Sequence, residues 1–190
     1  KSRRPLYFRG STTKPIVHEI QAVKDAVYIR TSEGVYTQGE YNNQYVTPGL
    51  SKLKINSLTK LTITLPNITH MLVTTKNFYV YSSSSGLTHA YGDNSFYQLN
   101  IILPINSFSF YNTTSPLKSF CGYTDYFGML FENGQYLTVG RNIDKLLHSG
   151  IDDVGSLTNF YSNPIKRVWC GNYKKIVQYM DDSLAGSGNN

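Results

Sequence analysis

Apolar and polar residues alternate along most of this chain in short runs of strand length, and the runs are separated by turn residues rather than joined into longer periods. Phe127, Met129 and Phe131 alternate, Glu132-Asn133-Gly134 interrupts, and Leu137 and Val139 resume the alternation after Gln135. A period of two predicts half-buried or buried strands, and Ser32-Glu33-Gly34 and Glu132-Asn133-Gly134 are hairpin turns by composition. No window carries a helical period with caps, so the local unit is a β-hairpin followed by a turn.

That unit recurs. Shifting the segment 118–147 back along the chain without a gap superposes it on 70–99, with Gly134 on Gly86, Gly140 on Gly92, Asn142 on Asn94 and Leu147 on Leu99. A third copy runs over 22–46 and a fourth over 167–190. The late glycines Gly39, Gly92, Gly140 and Gly188 recur at a nearly constant interval. The stretches 100–116 and 149–164 are loop-rich and long enough for further strands. A unit of several short strands cannot cover both faces of its own sheet, so units stack, and radial stacking gives a propeller. Gly34, Gly86 and Gly134 suit positive φ in a hairpin turn, and the late glycines suit a backbone turn at the crowded end of an inner strand.

Composition agrees. With 14% aromatic residues, 16 tyrosines and only 16% charged residues in 190, the chain favours strands and turns, and 40% hydrophobic content supports a packed core. The net charge of +6 permits an acidic partner without naming one. Lys1, Arg3, Arg4, Arg9 and Lys14 form one basic group, and Lys166, Arg167, Lys174 and Lys175 another. Cys121 and Cys170 each precede a glycine and fall at matching places in successive units, so they are expected to be buried as small hydrophobes rather than bridged, in a reducing cytoplasmic or nuclear setting. Asn67-Ile68-Thr69 and Asn112-Thr113-Thr114 match a glycosylation acceptor pattern that arises by chance in an Asn- and Thr-rich chain, and carry no weight. No apolar run is long enough for a signal sequence or a membrane span.

The residues resemble the regulator of chromosome condensation repeat, in which a Cys-Gly step leads into a hairpin and then Trp-Gly-x-Asn-x-x-Gly-Gln-Leu-Gly. Tyr91-Gly92-Asp93-Asn94-Ser95-Phe96-Tyr97-Gln98-Leu99-Asn100 is the fullest match, with Cys121-Gly122 and Val168-Trp169-Cys170-Gly171 supplying the other half. Gln38, Tyr91, Val139 and Ser187 replace the Trp before the late glycine, which marks a divergent member. The resemblance implies an all-β propeller with about four blade units of an expected seven: a basic segment at 1–15 that could supply a ring-closing strand, then units over 16–65, 66–113, 114–162 and 163–190, the last incomplete. The remaining blades are expected from the rest of a longer chain.

Function is expected at one rim. Three residues beyond each Cys-Gly glycine the aligned positions hold Asp25, Asn77, Asp125 and Lys174. In exchange-factor members of the family, residues near this place face a small GTPase, so these four are candidate partner contacts. The first expectation is a protein-binding scaffold, the second a guanine-nucleotide exchange factor for a Ras-like GTPase. The third is attachment to chromatin or an acidic membrane through Arg3, Arg4 and Arg9. His18, His70, His89 and His148 are scattered, no Gly-x-Ser-x-Gly elbow or phosphate loop is present, and Asp181-Asp182 falls in a hairpin turn. No catalytic residue, metal ligand or cofactor is therefore assigned.

Overall fold

The structure, a computed structural model, describes residues 14–41, 46–50, 54–100, 107–111, 115–142, 153–172 and 174–188. Among them are fifteen strands in four antiparallel sheets and no α-helix, hence no helix able to cross a membrane. The first sheet is β1 (Val17–Val23), β2 (Ala26–Thr31), β3 (Gly34–Glu40) and β4 (Lys54–Lys60). The second is β5 (Ile68–Val73), β6 (Asn77–Ser82), β7 (Leu87–Gly92) and β8 (Ser107–Tyr111). The third is β9 (Leu117–Tyr123), β10 (Tyr126–Phe131), β11 (Tyr136–Arg141) and β12 (Asp153–Asn159), and the fourth is β13 (Ile165–Cys170), β14 (Lys174–Tyr179) and β15 (Leu184–Gly188). In each sheet neighbours in sequence are neighbours in space, so each is a meander, the form of a propeller blade. The sheets stack in chain order with β1, β5, β9 and β13 side by side, which makes these the inner strands.

The core lies between blades. Every residue of β6 and of β10 is buried, because both faces of these strands meet a neighbouring sheet. Tyr28 of the first blade stacks on Phe78 of the second at 5.3 Å, and Tyr79 of the second on Phe127 of the third at 4.0 Å and 7°. Each buried aromatic contributes about 1.5–3 kcal/mol, so these ring pairs are a main adhesive between blades. The junction of the third and fourth blades breaks the pattern. Gly128 stands where the first two blades have Tyr28 and Tyr79, the Tyr136 ring fills the space a side chain would take, and Lys175 stands in the place of Phe78 and Phe127.

A second series runs along the inner strands. Gln21, Leu72, Cys121 and Trp169 lie opposite Tyr28, Tyr79, Gly128 and Ile176, each at the same register, and the first three each meet the following blade. The Gln21 amide donates to the Met71 carbonyl (2.7 Å) and accepts from the Val73 N–H (2.8 Å), joining β1 to β5. Leu72 packs under Gly122, where a Cβ would stand 3.1 Å from it. Cys121 is bonded to Cys170. Trp169, the fourth of the series, is 47% exposed beside Ile176 at 45%.

The disulfide corrects the expectation of free, buried thiols, and register explains why. Gly140 pairs with Tyr126 and Gly188 with Lys174, and the two pairs are offset along the chain by the same interval, so β13 aligns with Trp169 on Cys121 and Cys170 on Gly122. Side chains at equivalent positions would point the same way around the ring and miss each other. One residue out of register on a pleated strand reverses direction, so Cys170 faces back toward Cys121, with Cα atoms 5.6 Å apart. The cysteines therefore give no ground for inferring a reducing compartment.

Candidate functional site

The hairpin turns that join the first and second strand of each blade gather at one end of the inner strands. Lys24-Asp25, Thr75-Lys76 and Thr124-Asp125 supply three of these turns, and the fourth precedes Lys174. Between them is an axial cup of about 410 Å³ lined by Val23, Lys24, Val73, Thr75, Tyr123 and Thr124. The Thr75 and Thr124 hydroxyls hydrogen-bond at 2.9 Å across the blade boundary, and Tyr123 is 39% exposed at the edge.

The late glycines position this rim. They lie in the third strand of each blade rather than at the end of the inner strand, with φ of +131° at Gly39, +124° at Gly92 and +117° at Gly140. A Cβ at Gly92 would stand 2.1 Å from the Lys76 carbonyl oxygen, and one at Gly140 2.5 Å from that of Asp125. That approach lets the next residue donate its N–H to the same carbonyl: Glu40 to Asp25 (3.1 Å), Asp93 to Lys76 (3.1 Å) and Arg141 to Asp125 (2.9 Å). Gly92→Ala is accordingly expected to cost about 1–3 kcal/mol from backbone strain alone, with the clash added. Urea denaturation reads the loss, and an unchanged midpoint would show that the rim does not depend on this contact.

Charges of both signs meet where the second and third blades join. The Lys76 ammonium donates to Asp125 Oδ1 at 2.9 Å and lies 3.6 Å from Asp93 Oδ2, while Arg141 Nη1 lies 3.9 Å from Asp125 Oδ2. The Arg141 guanidinium sits 4.5 Å from the centre of the Phe96 ring and the Lys76 ammonium 5.9 Å from it. The hydrogen bond that Lys76 donates to Asp125 raises the Lys76 pKa, and Asp93 adds to that. The amine is a fixed positive charge at neutral pH, held between two carboxylates and an aromatic face.

The four sequence-predicted contacts separate on this frame. Asp25 and Asp125 occupy the turn as expected, but the residue equivalent to them in the second blade is Lys76. Asn77 is one position further, where Lys174 also sits, and is fully buried. Its backbone N–H donates to Thr74 Oγ1 (2.9 Å) and its side-chain amide to the Asp93 carbonyl, so it braces the rim from beneath. Lys174 is exposed. Arg3, Arg4, Arg9 and His148 lie outside the described residues. Lys76, Asp93, Phe96 and Arg141 escaped the sequence reading. The signal that could have found Asp93 and Arg141 is their place directly after a late glycine, which the strand pairing sets beside the turn. Among the described residues no group of His, Cys, Asp and Glu could hold a metal ion.

No protein-family model matches the sequence, and no curated protein matches it. Solved structures do match its fold. Human WBSCR16 is 13% identical with a TM-score of 0.76, over 92% of this chain and 48% of that one. Yeast RCC1 (Prp20), solved bound to Kap60, is 14% identical with a TM-score of 0.75, over 94% of this chain and 45% of that one. Prp20p from Saccharomyces cerevisiae, described with its binding to Gsp1p and histones, gives 14% and 0.75 over 94% of this chain and 47% of that one. The fold is a β-propeller of the regulator of chromosome condensation type, and the chain spans about half the length of the solved structures it resembles.

Proposed function

We propose that the chain is part of a protein-binding propeller that grips its partner at the axial rim. The observation that carries this reading is the Lys76–Asp125–Arg141 cluster with Phe96, built across two blades beside the cup. Arg and aromatic residues dominate interface hot spots, and charges held in place before contact lose little entropy on binding. Tyr123 and the threonines of the cup offer hydrogen bonds to a protruding loop. Affinity capture from the source cell, comparing wild type with Lys76→Glu and with Asp125→Ala, tests it. Partner recovery is expected to fall about tenfold or more in both variants and to persist in Ser85→Ala, on the opposite face. Equal recovery from all of them would remove the rim from the account.

The likeness to Prp20p, which binds Gsp1p, favours a second reading in which the partner is a small GTPase and binding at the rim favours its nucleotide-free state. That reading places the chain in the cytoplasm or nucleus. Capture with and without nucleotide depletion separates the two: a GTPase enriched only on depletion supports exchange, and a nucleotide-insensitive partner supports the scaffold.

The uncovered face of the fourth blade, with Trp169 and Ile176 exposed, is where the reading places further blades of the same ring. Trp169 is the only tryptophan. Its emission is expected to be that of a hydrated indole in the 190-residue chain and to shift to the blue in any longer form that carries the next blade. The same hydrated emission in both would show that nothing packs there.

A further inference from the structure

On the face opposite the rim, a cleft of about 530 Å³ lies between the β2–β3 turn of the first blade and the segment 61–69 that leads into the second. Its size falls within the range of about 300–1,000 Å³ typical of small-molecule sites. Its wall is divided by chemistry. Leu61, Ile63 and Leu65 supply apolar surface, Leu61 and Leu65 from the edge of the core, while His18, Arg30 and Lys60 supply hydrogen-bond donors.

The basic side is set in place and only partly neutralised. Arg30 is held by Glu19 Oε2 at 3.0 Å through Nε and by the Ile68 carbonyl at 3.3 Å through Nη1, which leaves further N–H donors of its five. The Lys60 side chain crosses Gly34, where a Cβ would stand 3.1 Å from Lys60 Cε, and its ammonium has no carboxylate within 4.0 Å among the described residues. Glu33, the one carboxylate in the lining, accepts a hydrogen bond from the Tyr36 hydroxyl at 3.2 Å. With Arg30 set against Glu19 and the Glu33 carboxylate engaged by the Tyr36 hydroxyl, the Lys60 ammonium is the charged donor left for a guest, next to an apolar wall. We infer that this cleft binds a monoanion of one chemical class, a carboxylate carried on an aliphatic stem, with Lys60 as its main charge contact.

Such a group comes from a free fatty acid or from the C-terminus of a peptide that ends in an aliphatic residue. The test is a titration of the 190-residue chain with octanoate, with N-acetyl-Ala-Ala-Leu and with octanol, followed by amide chemical shifts. Saturable shifts confined to 61–69 and the β2–β3 turn are expected with at least one of the two carboxylates. Octanoate alone points to a lipid source, the peptide alone to a protein terminus, and both to a site that reads only the shared chemistry. Lys60→Gln is expected to weaken binding about tenfold or more, and Lys60→Arg to retain it. Lys60 is exposed, so neither variant disturbs the core. The inference is overturned if neither carboxylate binds, if octanol binds as tightly as octanoate, or if Lys60→Gln leaves affinity unchanged.

Discussion

Reduction of the Cys121–Cys170 bridge is expected to lower the stability of the fold by about 4 kcal/mol, the loop-entropy value for a closure spanning 49 residues. For a chain of this size that corresponds to a fall in melting temperature of roughly 8–16 °C. The effect is large because of where the bridge lies. The first three blades are joined by stacked aromatic pairs, whereas the junction of the third and fourth has Gly128 and Lys175 at those places and relies on the disulfide together with a small cluster of Leu130, Tyr136, Ile165 and Val177. Thermal melts with and without a dithiol reductant measure the change, and fluorescence of Trp169, next to Cys170, reports on β13 directly. Superimposable melts would mean that noncovalent packing alone holds the fourth blade.

Substitution of Lys175 is expected to act in the opposite direction. Burial pulls this amine from 10.5 down to about 7, with the ammonium against the rings of Tyr136 and Tyr161 at 5.4 and 5.1 Å. Between those two pH values the unfolded chain binds the proton more tightly than the folded one, so the contribution of Lys175 to stability rises as pH increases from about 7 toward 10 and is flat below 7. Above that window buried tyrosines oppose the trend, because burial raises the pKa of Tyr79, Tyr126 and Tyr136 and the unfolded state ionises first. A pKa depressed this far corresponds to roughly 3–5 kcal/mol lost at neutral pH. Lys175→Met keeps the length of the side chain without the charge, and is expected to recover most of that loss at pH 7 and to abolish the slope. Urea midpoints of both proteins from pH 6 to 9.5 decide the matter. A wild-type profile that does not rise would show that the ammonium is accommodated where it lies.

The four sheets were legible because alternation and the late glycines repeat at nearly constant spacing, and because the loop-rich stretches at 100–116 and 149–164 proved to contain β8 and β12. What counting could not supply was register. The β6–β7 turn is longer than the β10–β11 turn by a single position, since the paired Asn77 and Gly92 stand one step further apart in sequence than the paired Tyr126 and Gly140. A gapless shift is therefore correct after the turn and wrong by one before it, which put Asn77 in the place of Lys76. A separate single-residue error placed Cys170 on Cys121, because matching the two Cys-Gly steps adds one residue to an interval that the strand pairing keeps constant. In a pleated strand that error is the difference between two side chains that face apart and two that can bond. The rim cluster was hidden for another reason. Lys76, Asp93, Asp125 and Arg141 come from two blades and meet only because each late glycine admits the turn carbonyl. Nothing in the spacing of one repeat encodes a contact between two.

The rim as partner site is tested most directly by placing a photo-crosslinking amino acid at Tyr123, on the edge of the cup, and in parallel at Ser85, exposed on the opposite face. After irradiation in the source cell, a crosslinked partner is expected from position 123 and not from position 85, and is expected to disappear when Lys76→Glu is added. Crosslinks from position 85 alone, or from position 123 regardless of Lys76, would contradict the assignment of the axial rim as the binding surface.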